Sequence, residues 1–202
     1  MRPFRYSSFS VVYILIAVNV AVFLIQNVFP VSSYYLAMIP AYVMEGWVWQ
    51  FVTYMFAHGG VRHIFFNMLG LFIFGPHVEQ EMGSFEFLCY YLVTGMIAGI
   101  ASFAVYVFLG TQALLLGASG ALFAVELAFA AYFPHAMLAV FGLIPVRAPM
   151  LVLGYTALEL FFSVSGLQAG VAHMTHLFGF AAGWLYLMIR FRINPWRAFR
   201  GR

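Results

Sequence analysis

Apolar runs of roughly 15–25 residues alternate along this chain with short breaks rich in glycine, proline and polar residues, and the pattern predicts six membrane-spanning helices. The first run extends from about Ser10 to Val28, behind Arg2 and Arg5. No clear small-residue cleavage site follows it, so it reads as a retained span and not a signal peptide. Residues 30–50 are mixed, with Pro30, Ser32, Ser33, Pro40, Glu45 and Gly46 set among Tyr34, Tyr35, Tyr42, Trp47 and Trp49. Such a segment suits headgroup depth better than a crossing.

The second span begins at Phe51 or Arg62, depending on how deep the His58-Gly59-Gly60 turn sits, and runs to Phe74. Gly75-Pro76 is expected to end it, with Glu79, Glu81 and Glu86 in a wet loop. A third span fits Phe85–Leu109, and a fourth runs from Ser119 to near Pro134-His135. After the break at residues 145–149 a fifth fits Met150–Val164. Residues 165–170 form a short connection to a sixth, Val171–Ile189. Residues 136–144 are apolar as well, either interfacial or an end of span four or five. The resulting expectation is an all-α polytopic bundle forming a single domain over residues 1–202.

Composition agrees with lipid as the solvent. Hydrophobic residues make up 65% of the 202 and charged residues 7%, with a mean hydropathy of +0.97. Soluble domains carry about a quarter charged residues. Lysine and aspartate are absent, so the nine cations are all Arg and the six anions all Glu. So sparse a charge gives no support to a nucleic-acid partner. Cys89 is the single cysteine, which excludes an internal disulfide. Arg2, Arg5, Arg147, Arg190, Arg192, Arg197, Arg200 and Arg202 fall on one side of the six-span frame, and only Arg62 on the other. That asymmetry predicts cytoplasmic termini, residues 1–9 and a basic 190–202, with the lipid bilayer as constant partner.

On this frame a few polar groups converge. Gly117-Ala118-Ser119-Gly120 places one hydroxyl in a tight turn at the outer end of span four, where free helix N–H groups favour an anion. His63 and Asn67 share a face near the outer end of span two. His176 lies about 7.5 Å into span six. Below it, Gly179 and Gly183 form a Gly-x-x-x-Gly face suited to close approach to span four, at Gly120 and Ala121. These placements predict a Ser–His dyad in which His176 takes the proton of Ser119. His63, Asn67 and the Ser119 N–H would hold the oxyanion, and Phe123 would stack beneath the imidazole. Without aspartate a Ser–His–Asp triad is impossible. Glu126 and Glu159 are read as lying too deep or on an odd-numbered span to help. No Cys or carboxylate accompanies His63 and Asn67 at ligand spacing, so no metal site is expected. His173 reads as structural or substrate-facing, and His58, His77 and His135 as turn or helix-end residues.

Taken together, Gly117-Ala118-Ser119-Gly120, His63-Ile64-Phe65-Phe66-Asn67 after His58-Gly59-Gly60, and Ala172 to Gly179 resemble the motifs of the rhomboid family of intramembrane serine proteases. The resemblance covers about Trp47 to Gly183. It implies Ser119 and His176 as the catalytic pair, with His63, Asn67 and the Ser119 N–H at the oxyanion. Gly117, Gly120, Phe123 and Gly179 would support them. It further implies cleavage of single-span or polytopic membrane proteins in or near their transmembrane segment, without metal or cofactor. The compact core and lack of a targeting sequence suit a prokaryotic plasma membrane. Glu79, Gly83 and Ser84 resemble a structural element at the inner end of span two. Gln50 stands where the family often has Arg, Phe123 where it often has Tyr, and Glu126 where a small residue is usual. Two other classes compete: a catalytically silent escort protein, disfavoured because Ser119, His176, His63 and Asn67 are all present, and a transporter built on Glu126 and Glu159.

Overall fold

The computed structural model describes residues 10–140, 143–165 and 172–201. Six longer helices dominate: α1 (Val11–Val28), α5 (Val61–Met82), α6 (Ser84–Phe108), α7 (Ser119–Tyr132), α8 (Ala148–Ser165) and α9 (Ala172–Tyr186). Short helices α2 (Ser32–Leu36), α3 (Pro40–Met44) and α4 (Gln50–Thr53), followed by a 3-10 turn at Tyr54–Phe56, lie between α1 and α5. By length and composition α1, α6 and α8 can each cross a bilayer. The protein has the all-α polytopic membrane fold, with one small exception. Among the described residues of 136–144 no helix is extended; strands β1 (Met137–Val140) and β2 (Ile144–Arg147) pair antiparallel, Met137 with Arg147 and Val140 with Ile144. Pro145 is tolerated because this two-stranded ribbon has only edges.

Helix α7 is the centre, packed against α5, α6, α8 and α9. Ten of its 14 residues are buried, five of them alanine. At about 1.5 Å per residue it is only ~21 Å long, against ~30 Å of hydrocarbon. It is therefore too short to reach both membrane surfaces, and Ser119 is its first residue.

Three expectations at the inner end of span two change. Pro76 does not end the helix, since α5 continues to Met82. The His77 ring, with Nδ1 3.1 Å from the Ile73 carbonyl, supplies a polar contact in the turn the proline disturbs. Glu79 and Glu86 are buried and not in a wet loop. Glu79 accepts from the Val11 and Val12 N–H groups at 2.9 and 3.1 Å and from the Ser10 and Ser84 hydroxyls at 2.5 and 2.6 Å. It thereby caps α1 from another helix, using N–H groups that α1 cannot satisfy itself. Glu86 takes a two-pronged bond from Arg190, with Nε and one terminal nitrogen each 2.9 Å away, and a third from the Tyr186 hydroxyl. This fastens α6 to the π-helical turn Leu187–Phe191 that extends α9. A last short helix, α10 (Pro195–Ala198), follows.

The interfacial segment is tied down by Gln50. Its fully buried side chain accepts from Ile39 N–H at 3.0 Å and donates to the Tyr34 carbonyl at 2.9 Å. Trp49 donates to the Tyr35 carbonyl and Thr53 to that of Leu36. Met38 and Leu115 exchange both backbone bonds at 2.9 Å, which fastens this segment to the chain entering Ser119.

Candidate active site

Gly117 makes the turn into α7. Its φ of +120° is a conformation that side chains resist, and a Cβ there would meet the His63 ring at 2.7 Å. The glycine thus allows α5 to bring His63 and Asn67 up to the backbone beside Ser119. The Gly117 N–H is already spent on the Tyr54 carbonyl at 2.9 Å. The N–H groups of the first turn of α7 have no carbonyl four residues back.

Helix α9 approaches the other face of α7. A Cβ on Gly179 would run into the Gly120 carbonyl, and one on Gly183 would meet Ala124 Cα at 2.9 Å. This backbone-to-backbone contact brings the His176 ring over the start of α7. His176 Nε2 lies 2.7 Å from Ser119 Oγ. The ring stacks on Phe123 with centroids 4.6 Å apart and planes 8° from parallel. Beneath them Ser102 and Thr175 share a buried hydroxyl contact of 2.7 Å between α6 and α9.

A cavity of about 600 Å³ opens over these groups, lined by His63 and Asn67 from α5, Ser119 and Phe123 from α7, Tyr155 from α8 and His176 from α9. Glu126 lines its deeper part. Asn67 is buried, and among the described residues its Nδ2 has no hydrogen-bond partner. A buried amide donor left open beside a hydroxyl is suited to a charge that appears only during reaction. His58, in the turn before α5, packs edge-on against His63 at 5.2 Å and is buried, not solvated. Burial, with His63 beside it, pushes the His58 imidazole down to about 4, so that ring is neutral at physiological pH.

The expectation that no carboxylate reaches His176 is corrected. Glu159 of α8 places Oε1 3.1 Å from His176 Nδ1 and Oε2 2.5 Å from His173 Nδ1. The placement was legible in part. Glu159 is six residues from the outer end of α8, about 9 Å, and His176 four residues into α9, about 6 Å. An odd-numbered span runs the other way, so counting from its outer end brings the two groups to similar depth. Glu159, His173 and His176 are also a potential ligand set, with donor atoms all within 4.8 Å of one another. Metal ligands at about 2.0–2.1 Å from a tetrahedral ion stand roughly 3.3 Å apart. The 2.5 and 3.1 Å separations here are those of hydrogen-bonding and ion-pair contacts.

Comparison with known proteins places these residues in a wider setting. Residues 45–193 match the rhomboid domain. Over 116 residues the chain is 35% identical to rhomboid-like protein 11, chloroplastic, of Arabidopsis thaliana, covering 55% of this chain and 38% of that one. It is 33% identical over 101 residues to rhomboid protease GlpG of Haemophilus influenzae, covering 49% and 53%. With rhomboid protease AarA of Providencia stuartii it shares 26% identity over 196 residues, covering 84% and 68%.

Proposed function

This chain belongs to the rhomboid family, and from that premise we propose that it is an intramembrane serine endopeptidase acting through Ser119 and His176. The observation that carries the reading is the 2.7 Å contact between Ser119 Oγ and His176 Nε2, at the start of a short helix and open to a cavity.

In the proposed reaction Ser119 Oγ attacks a substrate carbonyl while its proton passes to His176 Nε2. The Oγ–C bond forms and the carbonyl π pair moves onto oxygen. Asn67 Nδ2, a His63 ring N–H and the Ser119 backbone N–H stabilise that oxyanion. Collapse breaks the C–N bond, and the departing amine takes the proton from His176. Water then enters and the same steps release the acyl group and restore Ser119.

The substrates proposed are single-span or polytopic membrane proteins, cut in or near a transmembrane segment. A helix hides its carbonyls in its own hydrogen bonds, so it must enter from the side and partly unwind. The cavity is bounded by α5 on one side and Tyr155 of α8 on the other. We place the lateral entrance there, with α8 as its gate. The connection between α8 and α9, residues 166–171, lies outside the described residues. On a six-span, single-domain frame over residues 1–202, the arginine distribution supports both termini being cytoplasmic.

Purified protein is tested in detergent against a single-span substrate. Wild type yields discrete products, while Ser119→Ala and His176→Ala lower kcat by at least about a thousandfold. Products from folded Ser119→Ala at the wild-type rate would rule the reading out.

A further inference from the structure

His176 has two ring nitrogens, and a proton acceptor needs one free and the other protonated. Nε2 faces Ser119, so Nδ1 must carry the hydrogen when Ser119 is attacked. That Nδ1 is buried and makes no hydrogen bond of regular geometry among the described residues. The group in front of it is Glu159 Oε1 at 3.1 Å, in ion-pair range but off the hydrogen-bond line. Contacts of this kind are often poorly aligned before substrate binds and tighten afterwards. The second oxygen of Glu159 is held at 2.5 Å by His173, one turn before His176 on the same helix. The carboxylate is therefore gripped at one end and presented at the other.

We propose that Glu159 is a positioning residue for His176, so that Ser119, His176 and Glu159 act as a relay-free triad assembled across three helices. Glu159 fixes the Nδ1–H tautomer and faces the positive charge that appears on the ring when Ser119 gives up its proton. It does not take the proton itself. The inference rests on the protease reading of Ser119 and His176. It adds that α8, which also lines the cavity with Tyr155, contributes to turnover directly through Glu159. Displacing α8 outward withdraws Glu159, so cleavage is fastest once α8 has returned behind the substrate.

The test measures kcat and KM for wild type, Glu159→Gln, Glu159→Asp and His173→Phe, with Ser119→Ala as control. Glu159→Gln, nearly the same shape, should lower kcat roughly 10–100-fold with KM within about twofold and an unchanged melting temperature. Glu159→Asp, which keeps the charge, should retain more kcat than Glu159→Gln, and it serves if the amide variant does not fold. His173→Phe should cost less than Glu159→Gln. Wild-type kcat in Glu159→Gln, kcat no higher in the aspartate than in the amide, or an equal loss in His173→Phe would overturn the proposal and leave the Ser119–His176 reading standing. Cleavage by Ser119→Ala would remove both.

Discussion

Helices α7 and α8 are neighbours of similar apolar composition, yet they are held in opposite ways. Ten of 14 residues of α7 are buried, and its contact with α9 is backbone against backbone at Gly179 and Gly120. Among the described side chains of α8 only Ala148, Pro149 and Val152 are buried, all at its inner end. Its outer half presents Leu158, Leu160, Phe161 and Val164, more than half exposed, to the surrounding lipid. Among the described residues nothing lies within 4 Å of where a Cβ on Gly154 of α8 would stand. Lipid is as apolar as leucine, so no hydrophobic force presses a helix onto the bundle, and only close packing and polar contacts hold it. The proposed nucleophile and base therefore sit on closely packed helices. Glu159 sits on a sparsely packed one, held by its two histidine contacts.

The comparison can be broken first at Gly179. Gly179→Ala forces a methyl into the Gly120 carbonyl. It should cost about 1–3 kcal/mol as overpacking and separate His176 from Ser119. Thermal unfolding should fall by several degrees and activity by more than tenfold; an unchanged melting curve would mean that α7 and α9 are not locked through this contact. Next comes the mobility of α8. Cysteines replacing Phe66 and Tyr155, in a Cys89→Ser background, test a cross-link over the entrance. Oxidation should suppress cleavage of a transmembrane substrate roughly tenfold or more while Ser119 still reacts with a small fluorophosphonate. Equal cleavage before and after verified cross-linking would place the entrance elsewhere.

A smaller effect is expected at Gln50, outside both helices. Gln50→Ala removes the buried side chain that bonds the part-buried Ile39 N–H and Tyr34 carbonyl. It should destabilise by about 1–3 kcal/mol, read by thermal unfolding, with little change in kcat. The smallest is Gly154→Ala on α8. Open space and better helix propensity predict a change within about 1 kcal/mol, neutral or stabilising. A large loss there would mean that α8 packs as tightly as α7.

Much of the bundle was legible because apolar run length reports helices directly. The predicted third and fourth spans, Phe85–Leu109 and the run beginning at Ser119, differ by little from Ser84–Phe108 and Ser119–Tyr132. Ser119, His63, Asn67 and His176 could be singled out because a polar group in a membrane span is costly enough to need a reason. Gly179 and Gly183 likewise pointed to a contact with span four, since small residues every four positions leave a groove for another backbone. Pro76, Glu79 and Glu86 misled for a common reason. Local rules price a proline or a carboxylate in isolation, whereas here His77, the open N-terminus of α1 and Arg190 provide for them.

The sequence by itself determined a lipid-embedded helical bundle, the clustering of its arginines near the two chain ends, and a hydroxyl, an imidazole and an amide at one depth. These follow from composition and from 1.5 Å per residue along a helix. Only the tertiary structure decided that Gln50 anchors the interfacial segment, that Glu79 caps a helix 67 to 69 residues away, and that Glu159 faces His176. Depth along a helix is written in the sequence, but which way a side chain faces across three helices depends on how they rotate against one another. That rotation is set by packing around Gly120, Gly179 and Ala124, and no single segment contains it.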